Sequence, residues 1–377
     1  MSRTGVLVAA ASGMAASAAM QTLLSNATPR IVAELEAPQW YGFVGGSYLA
    51  ASTLTLPVLA QWADRLGPRR LFALGHLTFT TGALAVALAP TMGWLLAART
   101  LQGLGAGAIT PAAIAAIGLV FRDRERTRAL AWLALAQVVA TGLGAPLGGW
   151  FTDGPGWRVG MVAAVPLSLV SLALARNLPT LPPPAGWWRF DARAQWRLWA
   201  AARLGGQALL ACLIGAVTVG VTTYAPLLFQ DRHQLSPTAT GWLLLPMLVA
   251  AGCGTALAGK LASRPWLRPL AWGLLGLGLG LALAPTTWLV ALALAVAGLG
   301  MGAILPLPLL DAQDAVARDQ LAQASGLIQF GRGVGAALGV PLLSAWLAAG
   351  AFGLTGLFLT LTATALAGLL LTRKAAS

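Results

Sequence analysis

The sequence predicts an all-α integral membrane protein whose twelve transmembrane helices form two pseudo-symmetric six-helix bundles. Three observations carry this prediction. The chain is 58% hydrophobic and only 9% charged, whereas a soluble surface usually needs roughly a quarter to a third of charged residues. Its 377 residues accommodate about twelve crossings, given about 20 apolar residues per transmembrane helix plus a short connection. Finally, glycine-rich segments of the first half return in the same order in the second, the mark of an internal repeat.

Apolar runs separated by charges, Gly-Pro or Trp place the first six helices near residues 5–27, 40–62, 70–89, 93–120, 129–151 and 157–175. Six more fall near 200–229, 238–262, 267–284, 287–310, 324–348 and 351–372. Runs of this length and hydropathy are the primary signal for membrane helices. The bundles are expected at 1–177 and 200–377. Between them, residues 178–199 carry Leu178-Pro179-Thr180-Leu181-Pro182-Pro183-Pro184 and then Trp187, Trp188, Arg189, Arg193, Trp196, Arg197 and Trp199. Proline stops helix propagation, and mixed Trp and Arg suit a headgroup layer, so a cytoplasmic linker with an interfacial segment is expected.

The net charge of +13 reads as topology, because the arginines lie in small groups between apolar stretches and not on one polar domain. No nucleic-acid partner is expected. With both termini cytoplasmic, only Arg30, Arg158 and Arg232 of the 24 basic residues fall outside, and Arg99 and Arg332 fall within helices. The remaining 19 are cytoplasmic, which satisfies the positive-inside rule. The first helix has no basic region before a cleavage site and is read as a retained helix, not a signal peptide. Cys212 and Cys253 lie in apolar runs and read as packing residues.

In the repeat, Gly103-Leu104-Gly105-Ala106-Gly107-Ala108-Ile109-Thr110-Pro111 matches Gly298-Leu299-Gly300-Met301-Gly302-Ala303-Ile304-Leu305-Pro306. Gly142-Leu143-Gly144-Ala145-Pro146-Leu147-Gly148 matches Gly333-Val334-Gly335-Ala336-Ala337-Leu338-Gly339, and Ala63-Asp64-Arg65 matches Ala262-Ser263-Arg264. An even number of helices per half gives parallel repeats about an axis along the membrane normal.

Leu59-Ala60-Gln61-Trp62-Ala63-Asp64-Arg65-Leu66-Gly67-Pro68-Arg69-Arg70 resembles the signature loop of the major facilitator superfamily, and the resemblance extends over nearly the whole chain. It implies that Asp64, Arg65, Gly67, Arg69 and Arg70 form a cytoplasmic gate. Ala60 and Pro68 depart from the family pattern. Leu96-Ala97-Ala98-Arg99-Thr100-Leu101-Gln102-Gly103 and Gly144-Ala145-Pro146-Leu147-Gly148-Gly149 resemble the fourth- and fifth-helix signatures of the drug/proton antiporter branch. The second of these implies a sliding contact at Gly144, Pro146 and Gly148. Trp157-Arg158, Ala225-Pro226 and Gln329 with Arg332 resemble later segments of that branch, which is often built with two more helices.

An arginine inside a membrane helix costs about 2.5 to 3.5 kcal/mol on the milder insertion scales, so Arg99 is expected to face a watery cavity or a partner, the alternative being a side chain that snorkels outward. The branch commonly carries a carboxylate in its first helix, at the position occupied here by Gln21. None of the 11 acids falls mid-helix. Proton coupling requires a group that titrates near working pH, and an arginine cannot supply it. Asp311 is the first candidate, followed by Glu34 and Asp231. His76 reads as a packed histidine.

The expected function is alternating-access transport, with export of hydrophobic or amphiphilic molecules and proton coupling implied by the resemblance. Two arginines without a buried acid point to a neutral or anionic amphiphile held among Gln21, Asn26, Arg99, Gln102, Tyr224, Gln329 and Arg332. The alternatives are an uncoupled facilitator or importer of a metabolite, sugar or lipid, and a non-transporting scaffold. The absence of a Walker-type P-loop places the energy source in a gradient. No cofactor or metal is expected, and two histidines without mid-helix acids offer no constellation for an intramembrane enzyme. The partners are the small-molecule substrate, the lipid bilayer and protons, and the protein is expected to be a monomer in the cell membrane.

Overall fold

The computed structural model describes residues 2–180, 202–261, 263–314, 321–348 and 353–376. Most of the expected linker, including its Trp-Arg cluster, lies outside these residues. All described regular structure is helical. The chain divides into two compact units, one of residues 1–189 with 236–241 and one of 190–235 with 242–377.

The first unit contains α1 (Arg3–Glu34), α2 (Tyr41–Leu66), α3 (Pro68–Ala87), α4 (Met92–Val120), α5 (Asp123–Asp153), α6 (Trp157–Ala163) and α7 (Val165–Leu174). The later helices are α8 (Ala202–Leu227), α9 (Pro237–Leu261), α10 (Leu267–Leu281), α11 (Thr287–Ile304), α12 (Leu307–Asp314), α13 (Leu321–Ala348) and α14 (Gly353–Ala376). Among the described residues, ten helical stretches are long and apolar enough to cross a membrane. At the other two expected positions stand α2 and α10; α10 has 15 residues, about 22 Å at 1.5 Å per residue, against a hydrocarbon core of about 30 Å.

Prolines explain where the helices differ from the expected spans. The sixth is broken at Ala164, because Pro166 at the start of α7 has no N–H to donate. The tenth is broken between α11 and α12, at Leu305-Pro306. Pro29, Pro111 and Pro146 sit inside continuous helices, since neighbouring groups in a membrane protein can take up the one freed carbonyl. Helices α1 and α5 overrun their apolar cores at the end where Arg3 pairs with Glu125 at 2.8 Å. Both side chains are more than half exposed, so the pair contributes at most about 1 kcal/mol.

Within each unit the repeated glycines make the same crossings. In the first, Gly103 and Gly107 on α4 press on the backbone of Tyr48 and Ser52 of α2, and Gly105 faces Gly75 and Phe79 of α3. In the second, Gly298 and Gly302 on α11 press on Met247 and Ala251 of α9, and Gly300 faces Ala271 and Leu275 of α10. A Cβ on Gly105 would stand 2.6 Å from the Gly75 carbonyl oxygen, and one on Gly300 would stand 2.5 Å from that of Ala271. Such distances admit only hydrogen, and in lipid this close approach is what small residues contribute to helix association.

Candidate functional site

In the first unit, α4 carries Arg99 into a sealed polar knot. Its side chain is 1% exposed. Nε donates to the Val44 carbonyl at 3.1 Å, and one terminal nitrogen donates to Gln21 Oε1 at 2.7 Å. The other reaches Gln102 Oε1 at 2.5 Å, as the three-residue spacing along one helix face allows. The Tyr48 ring lies under the guanidinium, 4.4 Å from its carbon, a cation–π contact. Gln102 is fully buried and donates in turn to Met20 Sδ at 2.7 Å. Every acceptor of Arg99 among the described residues is neutral, so there the guanidinium is stabilised by dipoles and a π face.

Asn26, 1% exposed, donates both amide hydrogens within this unit, to the carbonyls of Ala145 at 2.8 Å and Pro237 at 2.9 Å. Pro146 lies inside α5, while Gly144 and Gly148 seat this helix against Ala19, Thr22 and Leu23 of α1. Gly67 joins α2 to α3 at φ 77° and ψ 151°, a conformation that a Cβ disfavours. Arg69 and Arg70 are exposed, and the Arg69 amide donates to the Pro179 carbonyl at 3.3 Å. The side chains of Asp64 and Arg65 lie outside the described residues. His76 is fully buried, with Nδ1 3.0 Å from Ser168 Oγ and its ring packed on Phe72.

In the second unit, Tyr224 is fully buried and donates to the Val340 carbonyl at 2.9 Å, tying α8 to α13. Gln329 and Arg332, one turn apart on α13, line a cavity of about 150 Å³ with Ala211, Ile214, Leu305, Pro306, Leu309 and Ile328. Ile214 also lines a second space of about 20 Å³, bordered by Gln207, Arg268, Trp272 and Asp311 among others. There Asp311 of α12 forms an ion pair with Arg268 at the start of α10, both about a quarter exposed.

The other two acids named from the sequence sit differently. Glu34 accepts from Trp157 Nε1 at 2.7 Å and pairs with Arg158. Arg158 in turn donates to the Ala89 carbonyl at 3.1 Å and lies over the Trp157 ring. Asp231 is exposed in the π-helical turn Leu228–Arg232.

Of the seven binding candidates, the structure brings Gln21, Arg99 and Gln102 together in one knot and Gln329 with Arg332 at one cavity. Asn26 and Tyr224 serve as ties between helices. Val44, Met20 and Tyr48 were not legible, because each meets the knot from a helix distant in sequence. Arg268 is one of the 19 basic residues that the sequence places on the cytoplasmic side; only a spatial neighbour distinguishes it from the others.

The Major Facilitator Superfamily profile matches residues 9–280. Over 204 residues the chain is 31% identical to the multidrug resistance protein B homolog of Mycobacterium tuberculosis, covering 54% of this chain and 36% of that protein. It is 28% identical over 176 residues to the multidrug transporter protein MdtP of Bacillus subtilis, covering 46% of this chain and 32% of that one. The aligned stretch thus spans about a third of the length of these relatives. Among solved structures, a bacterial homolog of the human lysosomal transporter Spinster, in an inward-facing and occupied conformation, superposes with a TM-score of 0.84 at 17% identity, covering 99% of this chain and 97% of that one. A mutant of the nucleoside transporter NupG gives 0.81 at 12% identity, covering 98% of each. Those two likenesses bear on the fold alone. With the profile spanning most of the sequence, the glycine-packed helices and their membrane character have their explanation: the chain belongs to the Major Facilitator Superfamily, a family of transporters and not of enzymes.

Proposed function

We propose that the chain is a secondary transporter that exports hydrophobic or amphiphilic small molecules by alternating access, with twelve helices in two six-helix bundles, both termini cytoplasmic, as a monomer in the cell membrane. The names of the multidrug relatives support the substrate class, and the arginine count on the two sides supports the orientation. The site residues are those named from the sequence, with the loop around Gly67, Arg69 and Arg70 and the α5 segment around Gly144, Pro146 and Gly148 as the moving contacts.

The observation that carries proton coupling is the Asp311–Arg268 pair beside a space with room for about one water. Of the three acids named from the sequence, Asp311 is the one that lines an internal space among the described residues, and its partner there is an arginine. Flux of a fluorescent amphiphile in proteoliposomes under an imposed pH gradient tests this. Asp311→Asn should abolish gradient-driven flux while exchange across the membrane at equal pH persists. Gradient-driven flux that survives in Asp311→Asn removes the coupling role.

A second reading, uncoupled facilitation, is favoured by the first unit. There the buried Arg99 bonds to Gln21 and Gln102, and among the described residues no carboxylate stands among its partners. The same assay separates the readings, since a facilitator dissipates a substrate gradient at a rate indifferent to the pH gradient.

A further inference from the structure

The second unit holds a cavity whose charge is unbalanced among the described residues. Arg332 and Gln329 present polar groups to about 150 Å³ otherwise walled by apolar side chains, among them Ile214, Leu305, Leu309 and Ile328. No carboxylate lines it among the described residues. Nor do those residues give the Arg332 side chain an ion pair or hydrogen bond. The acid Asp311 borders the smaller neighbouring space and is already paired with Arg268. The contrast with Arg99, where three acceptors and an aromatic ring enclose the guanidinium, is chemical: one arginine is held by its own fold, and the other, among the described residues, has its donors left to offer.

A guanidinium in apolar surroundings without an acceptor is costly, and its planar fork matches a carboxylate or phosphate in two parallel hydrogen bonds. We infer that this cavity is an oxyanion subsite that takes the acidic head of a single-chain amphiphile, with Arg332 binding the charge and Gln329 hydrogen-bonding beside it. The volume supports the division of labour. About 150 Å³ equals roughly five waters at their liquid volume, room for a head group and the first methylenes only. A cation meets like charge there, and a neutral alcohol leaves the positive charge uncompensated. The inference deepens the proposed transport function and rests on it for its biological meaning, but binding at this subsite requires no turnover.

The test is equilibrium binding to the full chain in nanodiscs of phosphatidylcholine, with decanoate, decyl phosphate, decan-1-ol and decylamine as probes. The unaltered protein should bind decanoate and decyl phosphate at least tenfold more tightly than the alcohol or the amine. Arg332→Gln should remove that preference while leaving the alcohol unchanged, and Arg332→Lys should retain part of it. Partitioning into lipid is common to all the proteins and cancels. Should Arg332→Gln not fold, the order of the four probes on the unaltered protein, each corrected by its binding to nanodiscs without the protein, still decides. Equal or tighter binding of decylamine overturns the inference, as does an anion preference that survives in Arg332→Gln. Nanodiscs containing phosphatidylglycerol separate a soluble amphiphile from a bilayer lipid. Undiminished decanoate binding supports the soluble ligand, and competition by the lipid overturns that assignment. Counterflow of a fluorescent amphiphile, measured separately, reports the transport reading. Anion-selective binding without counterflow would sink that reading and leave the subsite standing.

Discussion

Arg99 makes three hydrogen bonds and a cation–π contact within the first unit, and its dependence on Gln21 can be measured. Gln21 Oε1 accepts a charged hydrogen bond of 2.7 Å from a guanidinium that is 1% exposed. A hydrogen bond to a charged group contributes about 1.5 to 3 kcal/mol, and burial keeps this one within that range, because water cannot replace the lost acceptor. Gln21→Leu removes the acceptor, Arg99→Leu removes the donor, and the double variant removes both; the cycle isolates the pair. Unfolding of the reconstituted protein by titrated SDS should return a coupling of about 2 kcal/mol, roughly a thirtyfold change in the unfolding equilibrium. The single variants should both destabilise, and the double variant should cost less than their sum. A coupling below about 0.5 kcal/mol would refute the reasoning. It would mean that Val44, Gln102 and the Tyr48 ring hold the charge without Gln21.

Four further outcomes follow from the same structure. Gly105→Ala and Gly300→Ala should each cost about 1 to 3 kcal/mol, the usual range for overpacking, because each new methyl meets backbone on a facing helix. Gly280→Ala, with open space around it, should be neutral or stabilising by up to about 1 kcal/mol; thermal midpoints of the three variants check both statements. Tyr224→Phe should cost about 0.5 to 1.5 kcal/mol by loss of the bond to Val340, read in the same SDS titration. His233, just past the π-helical turn Leu228–Arg232, is held below the ordinary histidine pKa by burial and then by the Arg232 charge. The folded protein therefore favours the neutral ring. The stability it contributes is present above the unfolded value near 6.5 and declines as pH falls through the folded value. His233→Asn should flatten that acid-side loss in thermal midpoints taken between pH 8 and pH 5.

The helical architecture was legible because hydropathy and glycine spacing are local. Gly103, Gly105 and Gly107 recur as Gly298, Gly300 and Gly302, and the recurrence proved to be a recurrence of contacts, since each triplet brings its helix close to the two corresponding helices of its own unit. Helix breaks were less legible. Pro166 and Pro306 interrupt their helices while Pro29, Pro111 and Pro146 do not, and which outcome prevails depends on the tertiary surroundings of the freed carbonyl. The polar site was legible by residue type and opaque in its pairings. Arg99 and Gln102 share a helix face at a spacing of three, so their contact could be read directly. Tyr48 and Val44 of α2 come to Arg99 only through the α2–α4 crossing. Arg268, one topogenic arginine among many in the sequence, is distinguished only by the fold that brings it to Asp311.

The central claim, that one set of helices opens a site alternately to the two faces, is tested most directly by counterflow. Proteoliposomes preloaded with an unlabelled amphiphile and diluted into its fluorescent counterpart should accumulate label transiently above equilibrium, at equal pH on both sides. Label that enters no faster than into empty liposomes, whatever the internal load, would contradict the account and leave a membrane scaffold in place of a transporter.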